Sequence, residues 1–197
     1  MSDDVKTFEH AGCLVAIQHD ADAESPRTAF DNVGKMVCFH KRYALGDKTD
    51  FKSDDYSGWD ALRKAIEERE PVAVILPLYL YDHSGITIST KPFSCRWDSG
   101  QVGWIYATVA QVKDEWNGDV DAATKYLEGE VETYDQFLTG DVYGFVVRAP
   151  NGMEESCWSF FGMECCEEEA RATAENVAKN VRKEAAANEQ AVLAFFN

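Results

Sequence analysis

Asp82 and His83 stand side by side with Ser84 behind them, and Cys95, Trp97 and Asp98 follow further along the same segment. A histidine titrates near neutral pH and a carboxylate can orient it, so Asp82 with His83 is a candidate proton-transfer pair. A turn that hydrogen-bonds its own backbone uses the same residue types. Together with Tyr81, these side chains could line a pocket for a ligand or a reaction. Whether they meet depends on the chain between them. If Ile86 to Thr90 is a plain strand, a rise of ~3.3 Å per residue carries the chain ~17 Å away from the Asp82–His83 turn. Only the loop Lys91 to Gly100, doubling back, could bring it home. His83 within hydrogen-bond range of Cys95 or Asp98 would favour a pocket, and wide separation a binding surface.

Other candidate chemistry is weaker. Ser156-Cys157-Trp158-Ser159-Phe160 resembles the stretch around the nucleophile of papain-like proteases. That nucleophile needs a histidine arriving later in the chain, and all four histidines (His10, His19, His40, His83) precede Cys157. Zinc sites arrive as paired knuckles such as C-x-x-C, which this chain lacks, and neighbouring Cys165 and Cys166 on a helix point about 100 degrees apart. Gly100-x-x-Gly103 is too little to indicate phosphate binding. No catalytic residue, cofactor or metal is assigned from the sequence.

The elements that would position these residues read as follows. Cys13 to Ile17 and Lys35 to Phe39 are short apolar runs expected as strands, and Gly46 to Asp55 is a polar loop. Ser57 is placed to cap a helix whose apolar face is Trp59, Leu62, Ala65 and Ile66, with Asp60 in its first turn and Pro71 ending it. Val72 to Leu76 suits a strand buried on both faces, and Pro77 implies an edge, bulge or break. Asp82 to Gly85 make a turn, and Ile86 to Thr90 and Val102 to Val109 complete an antiparallel meander. A helix from about Asp119 to Leu138 buries Val120, Ala123, Leu127, Val131, Tyr134 and Leu138, despite Gly129, and stops at Gly140. Asp141 to Ala149 and Met153 to Phe161 form a hairpin around Asn151-Gly152. The last helix, Glu164 to Ala187, matches the helix dipole and carries the small-residue stripe Ala170, Ala174, Val177, Val181 and Ala185, with Val192 to Phe196 expected to dock an apolar end. The expected class is α+β in one domain over residues 1–197, a mixed, mainly antiparallel sheet packed by about three helices.

Charge narrows the partners. With 35 acidic against 19 basic residues and a net charge of -16, direct binding to nucleic acid is unfavourable, because phosphates are held by Lys and Arg. An acidic surface can instead attract a basic groove on another protein. The predicted helix from Asp119 offers Asp121, Glu128, Glu132 and Asp135 on one face, a ridge suited to such a partner, although a solvated helix face has the same composition. The polar, acidic N-terminus MSDDVKTFEH and the lack of a long apolar run point to a soluble, cytoplasmic protein. Its six cysteines are expected to stay reduced.

Three blocks carry a family resemblance: LPLYLYDHSG (76–85), ISTKPFSCRWDSGQVGWIY (88–106) and ETYDQFLTGDVYGFVV (132–147). They resemble a widespread family of uncharacterised proteins encoded by bacteriophages, plasmids and integrated elements, with matching blocks spanning roughly residues 71–161. The resemblance implies a mobile-element accessory protein and carries over no reaction or catalytic residue. Two readings follow. One is an acidic, non-enzymatic inhibitor of a host nucleic-acid-handling enzyme such as a restriction or CRISPR complex, acting by charge mimicry. The other is a small enzyme or ligand-binding protein with its pocket around Asp82, His83, Cys95 and Asp98.

Overall fold

In the computed structural model, which describes residues 4–195 and the side chains to 191, helices and antiparallel strands mix without a βαβ repeat. The elements in chain order are β1 (Asp4–His10), β2 (Cys13–His19), α1 (Pro26–Ala29), β3 (Lys35–Cys38) and α2 (Trp59–Arg69). Then come β4 (Val72–Asp82), β5 (Ile86–Ser89), β6 (Ser99–Thr108), α3 (Val109–Trp116) and α4 (Val120–Thr139). The chain closes with β7 (Val142–Arg148), β8 (Glu154–Phe161) and α5 (Met163–Phe195). Two antiparallel four-stranded sheets result, ordered β1-β2-β7-β8 and β3-β6-β4-β5, so the fold is α+β. Two compact units contain them: residues 1–23 with 140–197, and residues 24–139.

In the first unit the hairpin between β7 and β8 turns at Asn151-Gly152 as the dipeptide predicts. Gly152 takes φ +90°, and the Ala149 amide donates to the Met153 carbonyl at 2.8 Å. Cys13, Val15 and Ile17 of β2 and Tyr143, Phe145 and Val147 of β7 alternate onto one face, where α5 lays Cys166, Ala170, Ala174 and Val177. Small residues let the helix approach closely. The expected stripe holds through Val181, which is half-buried, whereas Ala185 is exposed. The expected docking of Val192 to Phe196 concerns side chains outside those described. Strand β1, unforeseen because its residues are polar, is an edge strand paired to β2 alone.

The second unit covers both faces of its sheet. Val74, Leu78, Leu80, Ile88 and Ile105 meet Val112 of α3 and Leu127, Val131 and Tyr134 of α4. On the opposite face Leu62 and Ile66 of α2 meet Val37, Trp104 and Tyr106. Strand β4 runs through Pro77, which pairs with Trp104 on one side, while β5 pairs only from Tyr79 onward. Pro77 thus stands at a local edge, where a missing donor costs no ladder bond. One further register shift lies beside it: Leu78 pairs with Gly103 and Tyr79 with Gln101, leaving Val102 as the extra residue of a bulge.

The expected meander is not formed, because β4 lies between β5 and β6 and those two do not pair, and besides β1 three elements differ from expectation. Helix α2 starts after Gly58, which provides no side-chain cap, so Ser57 lies one residue too early to cap it. Helix α3 was expected as nothing more than the end of a strand. Thr108 and Gln111 close a reciprocal capping box there, and the T-x-x-Q spacing was its signal. The polar link between β2 and β3 contains the short helix α1, capped by Ser25.

A buried ion network ties the second unit together. Arg27, its side chain 2% exposed, donates to Asp47 through Nε (2.9 Å) and Nη2 (2.8 Å), to Glu130 of α4 through Nη1 (2.8 Å), and to the Gly34 carbonyl (2.6 Å). Glu130 also accepts the Val33 and Gly34 amides, and Asp47 the Met36 amide. Burial works against the Arg27 charge, yet both carboxylates outweigh it and hold its pKa above the ordinary value.

Candidate functional site

The loop after β5 does double back. The Asp82 amide donates to the Asp98 carbonyl at 2.8 Å, and Tyr81 pairs with Ser99, so the end of β4 lies beside the start of β6. His83 Nδ1 lies 3.4 Å from Asp98 Oδ2, and Cys95 Sγ donates to the same oxygen at 3.6 Å. The Tyr81 ring stacks on His83 (6.1 Å between centroids) and tilts against Phe93 (5.7 Å). Ser99 Oγ donates to the Cys95 carbonyl and closes the loop on itself. Tyr81, Asp82, His83, Cys95 and Asp98 therefore share one locality. Trp97 belongs to its loop but not its interior: it is 95% exposed.

The order of groups limits the chemistry. A thiol nucleophile needs the imidazole against sulfur and the carboxylate behind the imidazole. Here Cys95 and His83 both face the same Asp98 oxygen, an arrangement that fastens a loop and sets the carboxylate, not the imidazole, against the sulfur. Among the described residues no group of three or more His, Cys, Asp or Glu side chains is placed to hold a metal ion.

Asp82 faces elsewhere. Its carboxylate pairs with Arg42 and accepts from Tyr43 Oη at 3.3 Å. Arg42 in turn lies over the Tyr43 ring, 5.4 Å from its centroid, and His40 stacks on that ring at 5.0 Å and 11°. His40, Arg42 and Tyr43 line an open groove of about 1050 Å³ together with the rest of segment 38–45, with Ser53, Asp54 and residues 56–59, and with Leu62 of α2 and Gln101 and Val102 of β6. Cys38 also lines it, but burial, with the Asp47 carboxylate, pushes that thiol up to about 12, so it is inert at neutral pH. Sequence reasoning missed this groove. Its signal was Phe39-His40-Lys41-Arg42-Tyr43, a run of cations between aromatic residues in an otherwise acidic chain.

The acidic ridge on α4 divides. Asp121, Glu128 and Glu132 are exposed and make no ion pair among the described residues. Lys125, also exposed, lies between Asp121 and Glu128 on the same stripe. Asp135 is half-buried and already occupied: its Oδ1 accepts from Thr87 Oγ1 at 2.6 Å and from the Ile88 amide at 2.7 Å, clamping β5 to α4. Comparison of the chain with protein-family models, curated proteins and solved structures finds no match.

Proposed function

We propose that the chain is an acidic, non-enzymatic protein of a mobile genetic element that binds and inhibits a host nucleic-acid-handling enzyme, a restriction or CRISPR complex being the type. Its carboxylates take the place of phosphates in that enzyme's basic groove. The observation carrying this reading is the face of α4 on which Asp121, Glu128 and Glu132 stand exposed and unpaired in a molecule of net charge -16. Glu128 and Glu132 are one turn apart, about 6 Å along the axis, and Asp121 lies about 10 Å further back. With Asp135 withdrawn into the β5 clamp, the binding set is those three. Trp97, held out on a loop whose base is fastened by Asp98, adds an aromatic anchor of the kind that dominates protein interfaces.

Purified chain added to a restriction or CRISPR nuclease should block cleavage in competition with DNA, more weakly as salt is raised. The triple substitution D121N/E128Q/E132Q should retain the fold by circular dichroism and lose about tenfold in potency, for about 1.4 kcal/mol. Equal potency of that variant, or inhibition indifferent to salt, would refute the reading.

A second reading, a ligand-binding protein, is favoured by one observation: Asp98 joins His83 to Cys95 while Asp82 contacts Arg42 and Tyr43, which line a groove.

A further inference from the structure

We propose that the groove between segments 38–45 and 53–59 binds a nucleoside phosphate. It deepens the ligand-binding reading and is independent of the inhibitory one, because it involves neither α4 nor Trp97. A volume of about 1050 Å³ lies at the upper end of small-ligand sites. Each part of a nucleotide has a counterpart on the walls. Phe39 and Trp59, stacked on each other at 6.3 Å and 18°, line the groove with Tyr56 and offer ring surface for a flat base.

For the phosphate, Lys41 is exposed and makes no ion pair among the described residues. Arg42, its side chain 66% exposed, pairs with Asp82 and lies over the Tyr43 ring, so a second anion can still reach its guanidinium from solvent. The start of α2 at Gly58, which has no side-chain cap, lies on the same wall and adds amide donors, with Asp60 in the same first turn. Asp54, on the wall as well, supplies the acceptor that ribose hydroxyls need and a bare anion does not. A nucleic-acid polymer is disfavoured by the net charge of -16, whereas a single nucleotide brings few charges and needs few cations.

The chain would be titrated at low salt with AMP, GMP, CMP, UMP and ATP, followed by calorimetry and by the amide resonances of residues 38–45 and 53–59. Adenosine and inorganic phosphate serve as separate arms. At least one nucleotide should bind saturably at one site, with both fragments at least tenfold weaker. Lys41→Glu, at an exposed position, should weaken the nucleotide at least tenfold. Phosphate binding as tightly as the nucleotides would overturn the proposal in favour of a plain anion site. No saturable binding at millimolar concentration, or a Lys41→Glu variant unchanged in affinity, would overturn it outright.

Discussion

Two carboxylates on the same helix show how far position decides role. Asp121 is exposed and solvated, whereas Asp135 accepts from the Thr87 hydroxyl and the Ile88 amide and so fixes the short strand β5. A hydrogen bond to a charged group contributes about 1.5–3 kcal/mol, and leaving a half-buried donor unmade adds to the loss. Asp135→Ala should therefore lower unfolding free energy by about 2–3 kcal/mol in urea, while Asp121→Ala stays within about 0.5 kcal/mol. Similar losses for both would mean that the clamp contributes nothing. The spacing of α4 puts Asp135, four residues after Val131, at the edge of the buried stripe and Asp121 further round toward solvent, but it names no partner for either. The difference comes from β5, which packs against α4 beside Asp135. Glu130, read as neither core nor site, is the opposite case: at 7% side-chain exposure it serves Arg27 and two amides.

Elements here are fitted to one another by absent side chains as much as by present ones. Gly144 of β7 lies under the Trp158 ring, and a Cβ added there would meet the ring's carbons. Gly103 of β6 has the same relation to the Val37 carbonyl of β3, where backbone cannot give way. Gly144→Ala should cost about 1–3 kcal/mol by overpacking. Trp158→Ala in the same chain should recover most of that loss, because it removes the obstacle. A double-mutant cycle of unfolding free energies measures the coupling, and strict additivity would show that the ring does not constrain β7. The hairpin that carries these residues was legible from Asn151-Gly152, since a positive φ is a local demand. The Trp158–Gly144 contact was not, because it depends on register across two strands.

At the scale of the molecule, excess negative charge works against compactness, and moderate salt should raise the melting temperature by screening it. Local pairs act in the other direction. Glu70 is raised by burial but lowered more by hydrogen bonds from Lys35 and Tyr106, so its pKa falls below the usual 4.5. A depressed carboxylate contributes stability that is complete above its unfolded value and is lost as pH falls through its folded one. Lys35→Met should thus destabilise at pH 7, by no more than about 1 kcal/mol since the pair is partly solvated, and the difference should close below the carboxylate range. Urea titrations of both proteins at pH 7 and in acid test this, and a difference that persists unchanged in acid would rule it out.

The sequence by itself determined the α+β class, most strands and helices, the hairpin turn and the acidic character, because periodicity, turn chemistry and composition are local or summed properties. It also singled out the residues that meet at Asp98, though not that the carboxylate would lie between thiol and imidazole. Tertiary structure alone decided which carboxylates are free, that Arg27 is buried among acceptors, and that a groove opens between residues 38–45 and 53–59. Those outcomes depend on which segments the sheet brings side by side, and hydrogen-bond competition among distant groups has no signature in the order of residues.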